Sequence, residues 1–415
     1  MSDGTEHPRV VTAVPGPISC SWVDRLAERE CPAITARRAR RASALGTQTD
    51  DPIVWDRALG ANVWDVDGNR FVDLTAGFGV ASVGHRNPAV VAAAAAQLNR
   101  LTHVMGDAFP DTNRIVLLER LAELTGLDRA ILGSSGSDGV EAALKTGRML
   151  SGRSSVMAFS GGYHGLSYGA LSVSAYNRSA FRQPFEQQLG SHVQWAEFGG
   201  EVPDLSGIGT VIVEPVQGRG GIRVPPAGWL GALADKARSA GAVLVFDEVY
   251  TGFGRTGDWF AYQDEAVRPD VLVLGKGMAG GFPISVAIGT AEAMDAWGAS
   301  EGQAIHTQTF LGHPVGCAMA LACIRELETV VPSVTPTGEW LRAQLVARGH
   351  RVRGRGLMLG VELPDTLAAS RALLQRGYIA LPSGEQAEVL AVTPPLTIAR
   401  TQLEAFLQAF DEVVA

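Results

Sequence analysis

The chain contains, from residue 271 to residue 284, the sequence Val271-Leu-Val-Leu-Gly-Lys-Gly-Met-Ala-Gly-Gly-Phe-Pro-Ile284. Its first four residues form an apolar run that is typical of a buried strand. Lys276 follows between two glycines, a position that neither helix nor strand propensity favours for lysine. A buried amine loses its proton more readily, and a neutral amine is a nucleophile toward carbonyl carbon. A single lysine of this kind is usually a surface loop residue, so its interpretation depends on the rest of the chain.

The same stretch also matches the G-x-G-x-x-G pattern of dinucleotide-binding loops, with Asp295 about 20 residues further on. That fingerprint requires glycines that open a helix in an early βαβ unit. Here Pro283 interrupts the stretch, residues 284–288 predict another strand, and the match lies late in the chain. We therefore do not expect a nicotinamide site.

Composition indicates a large globular protein without a membrane or nucleic-acid partner. The 415 residues are 46% hydrophobic and 19% charged, and the formal net charge is -8, which argues against general nucleic-acid binding. No apolar run approaches the roughly 20 residues that span a bilayer, and no secretory signal is visible. The cysteines have no metal-ligand spacing and predict free thiols in a cytoplasmic protein without a metal site: Cys20, Cys31, Cys317 and Cys323.

Changes in pattern along the chain predict a large domain and a smaller one built from both termini. The expected parts are a flexible N-terminus (1–20), the N-terminal part of the small domain (21–75), the large domain (76–318) and the C-terminal part of the small domain (319–415). Helical spacing predicts a helix over residues 22–41, and Asp67-Gly68 predicts a hairpin turn. In the C-terminal part we expect helices over 318–328 and 366–375, strands over 353–362 and 378–381, and a final helix from residue 401.

The large domain has the pattern of an α/β fold. Helical stretches over residues 88–100, 112–125 and 139–150 alternate with apolar runs. The runs are mostly continuous, as in strands that helices cover on both faces, and the alternation predicts a mainly parallel sheet. The predicted strands lie at residues 130–132, 156–159, 210–213, 243–246, 271–274 and 284–288.

Residues with chemical potential follow these strands where each strand ends, the edge at which open α/β sheets bind ligands. Small residues 133–139 open a helix and predict an anion-binding cup. Tyr163-His164 lie on a glycine turn, and Glu214, Asp247 and Lys276 each follow a strand directly. Each feature has a structural alternative: a helix cap, core aromatics, strand-end carboxylates and a loop lysine. Together they describe a site for a planar, phosphorylated aldehyde with a basic ring nitrogen.

The chain resembles the class III pyridoxal-phosphate-dependent aminotransferases of fold type I, from about Pro52 onward. The matching motifs are Ser135-Gly-Ser-Asp-Gly139, Tyr163-His-Gly165, Glu214-Pro-Val-Gln-Gly218, residues 247–257, the Lys276 loop and residues 307–314. The resemblance implies a large domain with a mainly parallel seven-stranded sheet and a small α+β domain. It also implies a pyridoxal 5'-phosphate site made of Gly136, Ser137, Tyr163, Glu214, Asp247, Val249, Lys276 and Thr309.

The resemblance further implies a role for most of these residues. Lys276 carries the Schiff base with the cofactor, and Asp247 pairs with its pyridinium nitrogen. Tyr163 stacks on one ring face and Val249 packs on the other. Gly136 and Ser137 hold the phosphate. A second subunit of a homodimer with shared active sites contributes its Thr309 to the same phosphate.

The chain departs from the family's pattern where the substrate would bind. Members that use α-amino acids typically have an arginine clamp for the carboxylate where Ala391 stands here, and many have arginine where Leu166 stands. Tyr250 replaces a common glutamine, and Ser135-Gly-Ser-Asp-Gly139 replaces the family's S-G-S-E-A. We therefore expect a carbonyl or amine substrate without an adjacent carboxylate. A donor amino acid would need another arginine that reaches the site, and Arg255 and Arg400 are the nearby candidates.

Three hypotheses follow for the function. The first is an aminotransferase with small-molecule amine and carbonyl substrates, and overall similarity to the aminoglycoside, gentamicin-type group suggests an amino sugar. The second is an epimerase or isomerase that uses the same lysine and electron sink on the same kind of substrate. The third is a non-catalytic cofactor-binding protein, which the intact Lys276 and Asp247 argue against.

Overall fold

The structure is a computed structural model that describes residues 3–35 and 52–414. Its centre is a seven-stranded sheet with the order β4-β10-β9-β8-β7-β5-β6. Strand β10 is antiparallel to both of its neighbours, and the remaining pairings are parallel. The strands are β4 (Arg129–Gly133), β5 (Val156–Phe159), β6 (Val193–Ala196), β7 (Thr210–Val213), β8 (Val243–Asp247), β9 (Val271–Leu274) and β10 (Ser285–Gly289). The predicted α/β class with a mainly parallel sheet is confirmed.

Helices cover both faces of this sheet, which explains why the strands are continuously apolar. Along β8, Leu244 and Phe246 pack in the core on one face, whereas Val243 and Val245 pack in the core on the other. The helices and helical turns before residue 300 are α1 (Pro17–Ala27), α2 (Pro32–Thr35), α3 (Ala76–Gly79), α4 (Pro88–Leu98), α5 (Thr112–Thr125), α6 (Gly136–Ser151), α7 (Tyr168–Ser172), α8 (Arg178–Phe181), α9 (Trp229–Ala240) and α10 (Ala291–Asp295).

The C-terminal part carries the helices α11 (Pro314–Val330), α12 (Val334–Ala347), α13 (Thr366–Gln375) and α14 (Arg400–Val414). Short 3-10 turns lie at Gln183–Gln188, Ala261–Glu265, Lys276–Met278 and Val331–Ser333. None of the helices within the described ranges is long and apolar enough to cross a membrane.

Two four-stranded sheets lie outside the large sheet. One has the order β1-β2-β3-β13, with β1 (Trp55–Leu59), β2 (Asn62–Asp65), β3 (Arg70–Asp73) and β13 (Tyr378–Ile379). The other has the order β11-β12-β15-β14, with β11 (Val352–Arg355), β12 (Met358–Glu362), β14 (Leu381–Ser383) and β15 (Val389–Val392). Strand β13 pairs in parallel with β3, with Tyr378 opposite Val72, so the two terminal parts share one sheet.

Several local expectations differ from the structure. Within the N-terminal segment expected to be flexible, residues 3–16 are hydrogen-bonded to the rest of the chain and α1 begins at Pro17. Arg9 pairs with Arg70 through their backbones, and the Val11 amide donates to Asn69. The helix expected over residues 22–41 is two helices, α1 and α2, because Pro32 starts a new helix after a turn; residues 36–41 lie outside the described part. The strand expected over 353–362 is a hairpin that turns at Gly356, whose φ is +51°.

Candidate active site

Lys276 lies in the turn that follows β9, and its backbone has a φ of +33°. Two hydrogen bonds to the Gly277 carbonyl fix this turn. The Ser82 hydroxyl donates at 2.7 Å and the Cys323 thiol donates at 3.4 Å. Burial lowers the pKa of the Lys276 amine, and the positive charge of Arg219 adds to this effect. The carboxylates of Asp247 and Glu214 act in the opposite direction. The net result favours a neutral, nucleophilic amine.

Tyr250 lies beside this amine: the Lys276 Nζ is 4.3 Å from the centroid of the phenol ring. The ring lies close to two glycines, because a Cβ on Gly79 or Gly218 would come within 2.4 or 2.2 Å of it. Its hydroxyl is hydrogen-bonded to the Thr393 hydroxyl at 3.1 Å. Gly79 and Gly218 therefore leave room for the Tyr250 ring, which lies next to the Lys276 amine.

Asp247, the last residue of β8, is buried and hydrogen-bonded to His164. The His164 Nδ1 donates to the Asp247 Oδ2 at 2.7 Å, and the Val249 amide donates to the Oδ1 at 3.1 Å. Burial works to lower the pKa of His164, but the hydrogen bond and negative charge of Asp247, together with Glu214, raise it overall. The two hydrogen bonds thus hold the Asp247 carboxylate in a fixed orientation at the edge of the sheet.

Glu214 connects two loops at the same edge. Its carboxylate accepts the amide of Tyr163 at 2.8 Å and the amide of Gly218 at 3.1 Å. Burial raises its pKa to about 7, the charge of Asp247 adds to this, and His164 and the two amides oppose it. Glu214 therefore fixes the position of Tyr163 relative to the loop that begins at Gly218.

The predicted anion cup is the N-terminus of α6. Ser135 caps this helix reciprocally with Asp138, whose amide donates to the Ser135 hydroxyl at 3.2 Å. The first-turn amides that remain for an anion are those of Gly136 and Ser137. Gly136 lies against Val249, since a Cβ there would come within 3.0 Å of the valine Cγ1. The Ser137 hydroxyl accepts the Leu166 amide at 3.3 Å and keeps its own proton for donation.

Glu248, which follows Asp247 directly, has a structural role. Its carboxylate accepts the amides of Ala261 and Tyr262 and the hydroxyl of Thr251, at 2.7, 2.9 and 2.8 Å. Burial raises its pKa to about 7 against the effect of these donors. Two neighbouring carboxylates therefore serve different purposes: Asp247 faces the site, and Glu248 fixes the loop that runs to residue 262.

Comparison with known proteins identifies the family. The class III aminotransferase family matches residues 45–414. The chain belongs to this family. An acetylornithine aminotransferase from Mycobacterium tuberculosis is 36% identical over 398 residues, covering 92% of this chain and 96% of the relative. The enzyme uses pyridoxal 5'-phosphate, as class III aminotransferases do.

Solved structures agree with this assignment. The ornithine aminotransferase of Toxoplasma gondii ME49 superposes with a TM-score of 0.81 at 28% identity, over 95% of this chain and 97% of that one. A PLP-bound amine transaminase from an uncultivated Pseudomonas species gives the same TM-score and identity, over 88% and 95%. Both likenesses extend over nearly the whole aminotransferase.

The structure brings most of the predicted site residues of this aminotransferase to one edge of the large sheet. They fit the cofactor: a helix N-terminus suits a phosphate, a buried carboxylate suits a ring nitrogen, and an amine suits an aldehyde. Thr309 is exposed on the same chain, and its neighbour Gln308 accepts the Ser134 hydroxyl at 2.8 Å. No group of metal-ligating side chains occurs in the described ranges.

The clamp position of this aminotransferase is apolar. Ala391 lies on β15 in a buried cluster with Val216, Ile222, Met358 and Val389. Sequence reasoning named Arg255 and Arg400 as substitutes for the missing clamp. Arg400 is wrong for this role, because it pairs with Glu404 on the outside and stacks on Trp340.

Arg255 is buried and already bound to backbone. Its Nη1 donates to the carbonyls of Leu357 and Pro394 at 3.0 and 2.6 Å. Burial lowers its pKa to about 10, while Tyr250 and Asp73 act to raise it. This buried arginine therefore ties the loop after β8 to the backbone at Leu357 and Pro394.

Sequence reasoning missed two parts of the site. It gave His164 no partner, although the Tyr163-His-Gly165 motif was a signal that this ring lies near the cofactor. It also overlooked Arg219, whose guanidinium carbon lies 4.5 Å from the centroid of the Tyr163 ring. The signal for Arg219 was its position directly after the Glu214–Gly218 motif.

Proposed function

We propose that this aminotransferase exchanges an amino group between a bulky primary amine and a carbonyl acceptor, and that no carboxylate is attached to the reacting carbon of the amine. The observation that carries the proposal is the apolar wall around Ala391. A carboxylate against this wall would lose its water without gaining a charged partner, which is strongly unfavourable. The narrower form of the proposal is an amino sugar with its amine on the terminal carbon.

The reacting groups lie at the ends of β8 and β9. Lys276 would hold the cofactor at its aldehyde group and would move a proton at the substrate carbon. Pyridoxal phosphate, when bound, supplies the electron sink for the charge that develops on that carbon. Asp247 would hold the ring nitrogen of the bound cofactor, and His164 orients the Asp247 carboxylate through their 2.7 Å hydrogen bond.

The remaining residues of the proposed site hold the cofactor in place. Gly136 and Ser137 would bind its phosphate at the N-terminus of α6, where backbone amides and the helix dipole favour an anion. Tyr163 and Val249 would pack against its ring. Glu214 fixes the Tyr163 loop through the amide that it accepts at 2.8 Å.

The tyrosine beside the lysine limits the shape of the substrate pocket. The Tyr250 ring packs against the apolar wall and lies 4.3 Å from the Lys276 amine. A flat, weakly polar surface of this kind suits the ring of a sugar or another bulky amine better than a short charged side chain. The amine is neutral more often because of burial, and it is therefore ready to accept a proton.

We also propose that the functional unit is a homodimer with shared active sites. Large apolar side chains are exposed around Thr309: Met105 is 59%, Phe109 66% and Phe310 58% accessible. His103 contacts Phe310 with a 5.5 Å centroid distance, so these segments form one face. An exposed apolar face of this kind supports a partner subunit, whose Thr309 would reach the phosphate across the interface.

The proposal departs from the names of the relatives. A relative named for acetylornithine suggests a terminal amine on a molecule that also carries a carboxylate, and this name gives the amino-sugar form no support. The departure rests on Ala391 and on Leu166, which is 47% exposed and uncharged. Acetylornithine is therefore the decisive competitor substrate.

The test is a comparison of kcat/KM for the wild-type enzyme with four amines: a terminal amino sugar, acetylornithine, ornithine and alanine. We expect the amino sugar to give the highest value, and alanine, whose amine is adjacent to its carboxylate, to give the lowest. The amino-sugar form fails if acetylornithine or ornithine is the best substrate by a factor of about ten, since about 1.4 kcal/mol of transition-state stabilisation would then come from a carboxylate remote from the reacting carbon. The broader form fails if alanine is the best substrate.

A further inference from the structure

Arg219 is a half-buried arginine that stands on a cluster of aromatic rings beside the site. Its guanidinium carbon lies 4.5 Å from the ring centroid of Tyr163, 5.3 Å from that of Tyr176 and 5.8 Å from that of Phe181. The rings also contact one another, with Tyr163 6.1 Å from Tyr176 and 6.3 Å from Phe181. Stacking on aromatic faces restricts a guanidinium without using its N–H donors.

The backbone of Arg219 is fixed by the small domain. The Gly384 amide donates to the Arg219 carbonyl at 3.0 Å. The Ser383 hydroxyl donates to the Gly218 carbonyl at 3.1 Å and to the Arg219 carbonyl at 3.3 Å. On the other side, the Gly218 amide is bound to Glu214. The guanidinium is therefore preorganised at the point where the large and small domains meet.

The side chain of Arg219 has no hydrogen-bond acceptor and no carboxylate at ion-pair distance within residues 3–35 and 52–414. Neighbouring arginines differ in this respect: Arg223 pairs with Glu197 at 2.9 Å, and Arg353 pairs with Glu362 at 2.8 Å. Burial lowers the pKa of the Lys276 amine and the charge of Arg219 adds to this effect, whereas burial raises the pKa of the Tyr250 phenol and the charge of Arg219 opposes it. Arg219 directly follows Gly218, where a Cβ would come within 2.2 Å of the Tyr250 ring. An unpaired cation therefore lies next to the ring that borders the Lys276 amine.

We propose that Arg219 binds the carboxylate of the amino acid or 2-oxo acid that exchanges the amino group with the other substrate. This inference rests on the proposed function, because it supplies the carboxylate site that Ala391 does not provide for the second substrate. A guanidinium presents two parallel N–H donors to a carboxylate, which matches the bidentate geometry. The phosphate of the cofactor has its own site at the N-terminus of α6, so Arg219 is free for the substrate.

The placement also explains how one pocket accepts two kinds of substrate. A bulky amine lies against the apolar wall of Ala391 and Tyr250 and makes no use of the charge. A 2-oxo acid directs its carboxylate toward Arg219. The two substrates of a ping-pong reaction occupy the pocket in turn, so the two binding modes do not compete within one step.

The test separates the two halves of the reaction. Arg219→Gln removes the charge, and Arg219→Lys keeps the charge but loses the two-pronged geometry. Arg223→Gln is the matched control, because Arg223 lies four residues along the same loop and is paired with Glu197. For each variant, one measures kcat/KM for the 2-oxo acids pyruvate and α-ketoglutarate, kcat/KM for an amine without a carboxylate, and the Kd of pyridoxal phosphate.

We expect Arg219→Gln to lose about 10- to 100-fold in kcat/KM for the 2-oxo acids, the effect of losing charged hydrogen bonds. Arg219→Lys should lie between this variant and wild type, and Arg223→Gln should match wild type. The amine half-reaction and the cofactor Kd should stay within about threefold, which is under 0.7 kcal/mol. Calorimetry with glutarate, a carboxylate that cannot react, should show the same loss of affinity in Arg219→Gln.

Equal losses in both half-reactions, or a weaker cofactor Kd in Arg219→Gln, would overturn the assignment, because Arg219 would then support the cofactor or the fold. Unchanged glutarate binding would overturn it as well. Failure of the proposed function has a different signature: the wild-type enzyme would prefer amines that carry a carboxylate, while the loss for 2-oxo acids in Arg219→Gln would still be seen.

Discussion

The cofactor-facing edge and the substrate-facing wall of this site are built in different ways. At the edge, Asp247 and Lys276 follow neighbouring strands of the large sheet, and Asp247 has a buried charged partner in His164. At the wall, Ala391 lies in an apolar cluster that combines residues of the segment 216–222 with residues of the C-terminal strands, and the nearby cation, Arg219, comes from a loop. Residues at the strand ends determine the reaction type of the family. Residues on loops and on the C-terminal strands can vary, and so alter which substrate binds, without disturbing that reaction.

The largest effect should come from Lys276→Ala. Loss of proton transfer alone lowers turnover roughly 10²- to 10⁴-fold, and the covalent link to the cofactor is lost as well. The chain has three lysines, and Lys145 and Lys236 are the matched controls. Borohydride treatment of the wild type followed by peptide mass spectrometry should label Lys276. Labelling of Lys145 or Lys236 instead would show that the edge has been misidentified.

The next effect should come from Asp247→Asn. A neutral amide cannot keep the ring nitrogen protonated, and loss of such a charged hydrogen bond costs about 1.5–3 kcal/mol, or about 10- to 100-fold in kcat. The melting temperature should change little, because the amide keeps nearly the same shape. Steady-state kinetics that give near-wild-type turnover would remove Asp247 from the cofactor site.

Glu248→Gln is the counterpart, because it should affect stability rather than turnover. The Glu248 carboxylate accepts three hydrogen bonds. In the glutamine variant, the side-chain amide places its own N–H group opposite at least one of these donors, which then has no acceptor. A buried donor without a partner costs about 1–3 kcal/mol in the free energy of unfolding. Denaturant titration measures this loss. If Glu248→Gln reduced kcat as much as Asp247→Asn does, the two carboxylates would not have separate roles.

Glu248 should also make the free energy of unfolding depend on pH. Burial raises the pKa of Glu248 from 4.5 to about 7, so between these values the folded protein holds a proton that the unfolded chain has released. Raising the pH through this window therefore lowers the free energy of unfolding by about 1.4 kcal/mol per pH unit. Glu248→Gln should remove this contribution and leave that of Glu214. An unchanged slope in the variant would contradict the buried state of Glu248.

The sequence predicts the edge better than the wall for a physical reason. Strands β5, β7 and β9 match their predicted runs because both of their faces are buried. Strand β6 was not predicted, since it lies at the end of the sheet and is partly exposed. Strand β15, which carries Ala391, was also not predicted, because its place depends on pairing with β12 and β14.

The same contrast applies to individual side chains. Lys276 and Asp247 could be found from the sequence, because each follows an apolar run directly. The bond between His164 and Asp247 joins residues that are 83 positions apart, and the stacking of Arg219 on Tyr163 joins two loops. Neither contact leaves a local pattern in the sequence, so the structure is needed to find them.

The smallest effect should come from Thr309→Val. One hydrogen bond from the partner subunit contributes about 0.5–1.5 kcal/mol, so the Kd of pyridoxal phosphate should rise about 2- to 12-fold. Thr329→Val, an exposed threonine on α11, is the control. Cofactor titration and light scattering measure affinity and assembly together. An active monomer, or an unchanged Kd in Thr309→Val, would remove the cross-subunit contact.

The central claim is that the wall, and not the edge, decides the substrate. The most direct measurement is the ratio of kcat/KM for a terminal amino sugar to that for acetylornithine, in wild type, Ala391→Arg and Leu166→Arg. Because Leu166 is exposed, Leu166→Arg should not disturb the packing. This variant therefore provides the test if Ala391→Arg is unstable. We predict a ratio above one in the wild type and a fall of about tenfold, or 1.4 kcal/mol, in at least one variant. A wild-type ratio below one that neither arginine changes would contradict the account.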